Sequence, residues 1–179
     1  MAERSSVTTE QFAKAALDAL STTDTILAGS GRTPAKASPS EMYAYAVDPN
    51  FQASPQLRNA INTDPRTRAD FHHLLNNTAR YHLPQVAAAS SGDIESREAG
   101  GCKISFRPSR ANADQMYVII ESIGDNFFSP GVLFVCGDEG QTDRLELPAA
   151  QNGRIQLLLE RESDMAKGLL NIKTEVYLK

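Results

Sequence analysis

The residues best equipped for chemistry in this 179-residue chain are three histidines, His72, His73 and His82, and two cysteines, Cys102 and Cys136. A zinc site needs several nitrogen or sulfur donors converging on one point. On a single helix His72 and His82 would project in the same direction but lie about 15 Å apart along the axis, too far for one ion. Neither cysteine is near enough in sequence to add a ligand, so no metal is expected and the histidines read as a solvated helix face. Cys136 closes the apolar run Val132-Leu133-Phe134-Val135-Cys136. A nucleophilic thiol requires a lowered pKa and a neighbouring base. A histidine arriving from the helical half is not demanded by anything in the sequence, and a buried core thiol is the expectation.

Other candidates fail on spacing. Gly29-Ser30-Gly31-Arg32-Thr33-Pro34-Ala35-Lys36 has the look of a phosphate loop but follows a helical segment and lacks the Gly-Lys-Ser/Thr ending. Asp125, Asp138, Glu139 and Asp143 lie between expected strands without the alternation of a calcium loop, and turn chemistry explains them. Arg107 and Arg110, flanking Pro108-Ser109, are suited to an anion or to a partner's carboxylate. No catalytic, cofactor-binding or metal-binding residue is therefore expected, and a non-enzymatic protein is.

Composition narrows the partners. Hydrophobic residues are 41% and charged residues 22% of the chain, the balance of a folded globular protein. A net charge of -4 excludes an electrostatic nucleic-acid binder, because phosphate contacts need clustered bases and the densest here are the pairs Arg66/Arg68 and Arg107/Arg110. The longest apolar runs, Tyr117 to Ile120 and Val132 to Cys136, fall far short of the roughly 20 residues that span a bilayer. The opening Met1-Ala2-Glu3-Arg4-Ser5 carries no apolar leader, and two cysteines make no disulfide framework, so the expected compartment is the cytoplasm.

The elements that would position these residues change rhythm along the chain. Thr8-Thr9-Glu10-Gln11 opens a helix over about 9–26 with Phe12, Ala16 and Leu20 on one stripe. Ser38-Pro39, Ser54-Pro55 and Asp64-Pro65 each place a capping side chain before a proline at the first helical position. They predict helices from Pro39 to Val47, from Pro55 to about Asn62 and from Pro65 to about Tyr81. Ser38 and Glu41 have capping-box spacing. Residues 85–101, rich in Ala, Ser and Gly, read as a linker.

Beyond Cys102 the period becomes two. Ile104/Phe106, Leu145/Leu147, Ile155/Leu157/Leu159 and Val176/Leu178 alternate with polar residues, while 116–123 and 132–136 are near-continuous apolar runs expected to be covered on both faces. Asn152-Gly153 predicts a hairpin turn, and 163–170 a short helix. The expected architecture is α+β: a helical domain over 1–84, a linker over 85–101, and a small antiparallel β-sandwich or open barrel of about six strands over 102–179.

Three segments, Ser38-Pro39-Ser40-Glu41-Met42-Tyr43-Ala44-Tyr45-Ala46, Ser54-Pro55-Gln56-Leu57 and Thr63-Asp64-Pro65-Arg66-Thr67-Arg68-Ala69-Asp70-Phe71, resemble the cytosolic helical domain of bacterial anti-sigma factors. In that family one helix opens at a capped proline and a later one at an Asp-Pro turn followed by basic residues. The chain departs from the family in lacking the zinc-binding His and Cys spacing that some members keep and the membrane span that many have. The resemblance implies a soluble variant whose helices clasp a sigma factor through residues such as Tyr43, Tyr45, Arg66, Arg68 and Phe71, with Arg107 and Arg110 as contacts from the β part. The expectation is a regulator or adaptor acting through protein–protein contacts; an accessory subunit or assembly factor of a larger enzyme is the alternative, and a homo-oligomer is compatible with either.

Overall fold

The computed structural model describes residues 38–86, 94–123, 129–137 and 140–179. The helix expected over 9–26, the glycine run at 29–31, and Asp125, Asp138 and Glu139 lie outside the described residues. The described part falls within one compact unit, Ala37–Lys179.

Its helices start where the prolines predict. Helix α1 spans Pro39–Val47, α2 Pro55–Thr63 and α3 Pro65–Thr78. Ser54 Oγ accepts the Leu57 N–H at 3.1 Å, and the Asp64 carboxylate takes the Thr67 N–H at 3.0 Å and the Thr67 hydroxyl at 2.5 Å. The expected capping box at α1 does not form. Ser38 makes no side-chain cap, and Glu41 instead accepts the Ser54 N–H at 2.8 Å, so its carboxylate ties α1 to the start of α2.

Eight strands follow: β1 Tyr81–Leu83, β2 Ser96–Ala99, β3 Cys102–Pro108, β4 Gln115–Ser122, β5 Val132–Cys136, β6 Thr142–Glu146, β7 Arg154–Glu160 and β8 Glu175–Leu178. Helix α4, Asp164–Leu170, lies between the last two. The strands make two antiparallel four-stranded sheets, an inner one ordered β1-β8-β5-β6 and an outer one ordered β2-β3-β4-β7. The protein is thus α+β, with short helices and two antiparallel sheets.

Two segments differ from the sequence-based expectation. The helix predicted to reach Tyr81 ends at Thr78, and 81–83 becomes a strand on β8 because Tyr81 and Leu83 alternate into the core. Part of the predicted linker, Ser96–Ala99, pairs with β3, closing through the left-handed glycines Gly100 (φ 60°) and Gly101 (φ 85°). The Asn152-Gly153 turn forms as predicted, with φ of 52° and 74°.

Two hydrophobic clusters hold the layers together. Between the sheets, Ile104, Val118, Ile120 and Ile155 of the outer sheet meet Leu83, Leu133, Val135, Val176 and Leu178 of the inner one, with Leu169 of α4 among them. On the other face of the inner sheet, Val132, Phe134, Cys136 and Tyr177 meet Met42, Tyr45, Leu57, Ile61, Phe71 and Leu75 of the helices. The boundary expected between a helical part and a β part therefore runs through this second core. Tyr45, Phe71 and Phe134 form its centre, with ring centroids 5.5–5.7 Å apart. Each such ring contributes about 2–3 kcal/mol by burial.

Candidate functional site

Antiparallel register decides which side chains share the helix-facing side of the inner sheet. One row across it is His82, Tyr177, Phe134 and Arg144; the next is Glu175, Cys136 and Thr142. Helix α3 lies over these rows, and a groove of about 320 Å³ is lined by Arg68, His72, Gln85, Cys136 and Glu175. His82 stands on β1 rather than on the helix, with its Nε2 3.4 Å from Glu175 Oε2 and its ring stacked on Tyr177 at 4.5 Å. The helical separation that kept His72 and His82 apart in the sequence reading does not apply, and a histidine from the helical part does line the same groove as Cys136.

The electrostatics of the groove oppose nucleophilic chemistry. Burial pushes the Cys136 thiol up to about 12, so almost no thiolate exists at neutral pH. Burial also lowers the His72 imidazole, against the Glu175 carboxylate and together with the Arg68 guanidinium. The Glu175 oxygen that His82 approaches already accepts the Tyr177 hydroxyl at 2.5 Å, and the His82 Nε2 makes no aligned hydrogen bond. Among the described residues no group of three or more His, Cys, Asp or Glu is placed to hold a metal ion. No helix of the described residues is long and apolar enough to cross a membrane.

The residues predicted to meet a partner separate into two sets. Tyr45 is 7% exposed and Phe71 fully buried, so both are core side chains with no free face, a correction to the sequence reading. Both belong to the helix faces that dock on the inner sheet. Arg68 is also committed internally: its Nε donates to Ile61 O at 3.2 Å and its Nη2 to Asn62 O, closing the C-terminus of α2. The guanidinium also covers Gly140, where a Cβ would sit 2.0 Å from Arg68 Cζ. Tyr43, 54% exposed, and Arg66 remain at the surface of the helices.

Arg107 and Arg110 belong to the outer sheet and its β3–β4 turn, and both are exposed. Arg107 is in register with Tyr117, and Tyr117 with Leu158, which is 47% exposed. The neighbouring row is Ser105, Ile119 and Gln156, and the one beyond it Lys103, Glu121 and Arg154, where Arg154 Nε donates to Glu121 at 2.9 Å. In the run 116–123, expected to be covered on both faces, Ile119 is buried on this second side while Tyr117 and Glu121 are half-buried. The outward side chains of this run, with Leu158, were not singled out in the sequence; the alternation of Gln115, Tyr117 and Glu121 with buried residues was the available signal. No family model, curated protein or solved structure matches this chain.

Proposed function

We propose that this protein is a non-enzymatic regulator or adaptor that works through protein–protein contacts. The observation that carries the reading is a division of labour between surfaces. The reactive side chains around Cys136 are held neutral or spent on internal hydrogen bonds, while the outer sheet offers a face bearing Arg107, Tyr117 and Leu158. Aromatic and arginine side chains on an otherwise solvated surface are the composition of interface anchors. The resemblance to anti-sigma factors supports a further assignment: the helices, through Tyr43 and Arg66, clasp a sigma factor, and the β-sandwich below them docks or senses. With Tyr45 and Phe71 buried against the inner sheet, such a clasp uses the solvent side of the helices.

Affinity purification of the full chain from its host tests this. A stoichiometric partner is expected, whose retention falls at least about tenfold in Tyr117→Ala or in the pair Tyr43→Ala and Arg66→Glu. A sigma factor retained through the helical residues supports the regulator; an enzyme subunit retained through Tyr117 supports the accessory role. Retention untouched by every one of these changes would remove the basis of the reading.

A further inference from the structure

A four-stranded sheet has two edge strands, and each edge presents backbone groups that another strand can pair with. The edges here are unequal. β1 and β2 are three and four residues long. β6 is guarded: Asn62 Oδ1 takes the Thr142 N–H at 3.1 Å, and Arg144 reaches back to the Asp48 and Pro49 carbonyls at 3.0 and 2.7 Å. β7 is seven residues long, Arg-Ile-Gln-Leu-Leu-Leu-Glu, with neither the proline nor the lysine that commonly blunts an edge.

Hydrogen bonds at its two ends fix which β7 groups are used. The Ser122 N–H donates to Gly153 O at 3.3 Å and the Arg161 N–H to Asp114 O at 2.8 Å. With the β4–β7 register, Ile155, Leu157 and Leu159 therefore bond to β4, whereas Arg154, Gln156, Leu158 and Glu160 turn their N–H and C=O outward. Gln151 occupies both groups of Arg154, at 2.8 and 3.0 Å, and the Ser163 N–H occupies Glu160 O at 3.1 Å. Among the described residues, what is left open runs from Gln156 to the Glu160 N–H and is centred on Leu158, which is 47% exposed.

We infer that two copies of this chain pair through β7, antiparallel about a two-fold axis at Leu158, joining their outer sheets into one continuous sheet. This register uses the groups that are open and avoids the one that Gln151 blocks. Leu158 of each copy exchanges N–H···O=C bonds with the other, flanked by bonds from each Glu160 N–H to the opposite Gln156 carbonyl. Side chains directly opposed across such a pair lie on the same face. Leu158 then meets Leu158, Leu157 meets Leu159, and the Gln156 amide meets the Glu160 carboxylate. A second copy fits this edge because the strand is complementary to itself in hydrogen bonding and apolar surface. The pairing goes beyond the partner reading and does not depend on it, since the outer face with Tyr117 stays open.

Sedimentation velocity of the full chain over a wide concentration range should show a reversible doubling of mass. Leu158→Lys opposes two like charges at the axis and removes the apolar contact, so it should raise the dissociation constant roughly tenfold or more with unchanged circular dichroism. Leu158→Cys should cross-link to a covalent dimer under mild oxidation, since a directly hydrogen-bonded pair has Cα atoms about 5.5 Å apart, within disulfide reach. Gln156→Cys should not, because its counterpart lies four positions along the strand, about 13 Å away. Buried Cys102 and Cys136 keep the parent chain silent in this assay. A chain that stays monomeric throughout overturns the proposal, as does a Leu158→Lys dimer of undiminished affinity, or Gln156→Cys linking as readily as Leu158→Cys. A foreign strand found on β7 in place of a second copy overturns it equally.

Discussion

The inner and outer sheets have the same number of strands and the same antiparallel pairing, yet they live in different environments. β5, at the centre of the inner sheet, is buried at every position, whereas β4, at the centre of the outer sheet, is buried at Met116 and Val118–Ile120 and half-buried elsewhere. Helices cover one sheet on its second face and guard its β6 edge through Asn62 and Arg144. The outer sheet leaves Leu158 47% exposed and Tyr117 half-buried, and among the described residues no strand pairs with the outer edge of β7. Among the described residues, layers stack on both faces of the inner sheet, while the exposed Arg107 and Leu158 lie on the outer one.

The largest effect should come from breaking the covered side. Phe134→Ala removes the ring shared by Tyr45 and Phe71, and should cost about 3–5 kcal/mol in chemical denaturation. Tyr117→Ser on the open side should stay within about 0.5–1 kcal/mol. Equal losses from the two would erase the distinction between the sheets.

Next comes the tie between them. Arg97 of β2, 2% exposed, donates from Nε to Leu169 O at 2.9 Å, and from Nη1 to Thr174 O at 2.8 Å. It also bonds Asn171 O and the Thr174 hydroxyl, binding the outer sheet's edge to the end of α4 and the start of β8. Burial lowers this guanidinium to about 10, still charged at neutral pH. Its charge meets carbonyls at a helix C-terminus, where the dipole favours it. Arg97→Met should cost about 3 kcal/mol, read as a lowered denaturation midpoint, because those carbonyls lose their donor inside the protein.

A smaller loss is expected at Gly168, where an added Cβ would come within 2.8 Å of Val135 Cγ1. Gly168→Ala should cost about 1–3 kcal/mol by wedging α4 from the inner sheet.

The smallest effect concerns pH. Burial depresses His72, so the unfolded chain binds this proton more readily than the folded one. Stability from this group is complete above about pH 6.5 and declines as pH falls through that value toward the folded pKa. Urea midpoints at pH 7.5 and 5.5 should differ in that sense, and His72→Asn should shrink the difference.

Much of this architecture is written locally. Ser54-Pro55 and Asp64-Pro65 start helices through bonds between a side chain and amides two or three residues on, and Asn152-Gly153 makes its turn because both residues tolerate positive φ. The alternation of Ile104 and Phe106 marks a strand by itself. By contrast, Tyr81–Leu83 and Ser96–Ala99 are too short to declare a period, and become strands because β8 and β3 offer them hydrogen bonds. The same holds for Glu41, whose spacing to Ser38 promised a capping box until the Ser54 amide came within reach.

What the chain determined unaided was where the helices at Pro39, Pro55 and Pro65 begin and where pleated alternation takes over. Only the tertiary structure decided that Tyr45 and Phe71 are core rather than contact surface, that His72, Cys136 and Glu175 share one groove, and that β7 is an edge strand of the outer sheet. The reason is that periodicity reports which side of an element is apolar, while what that side rests against depends on strand order and register. Those are fixed by contacts between residues that can lie a hundred positions apart.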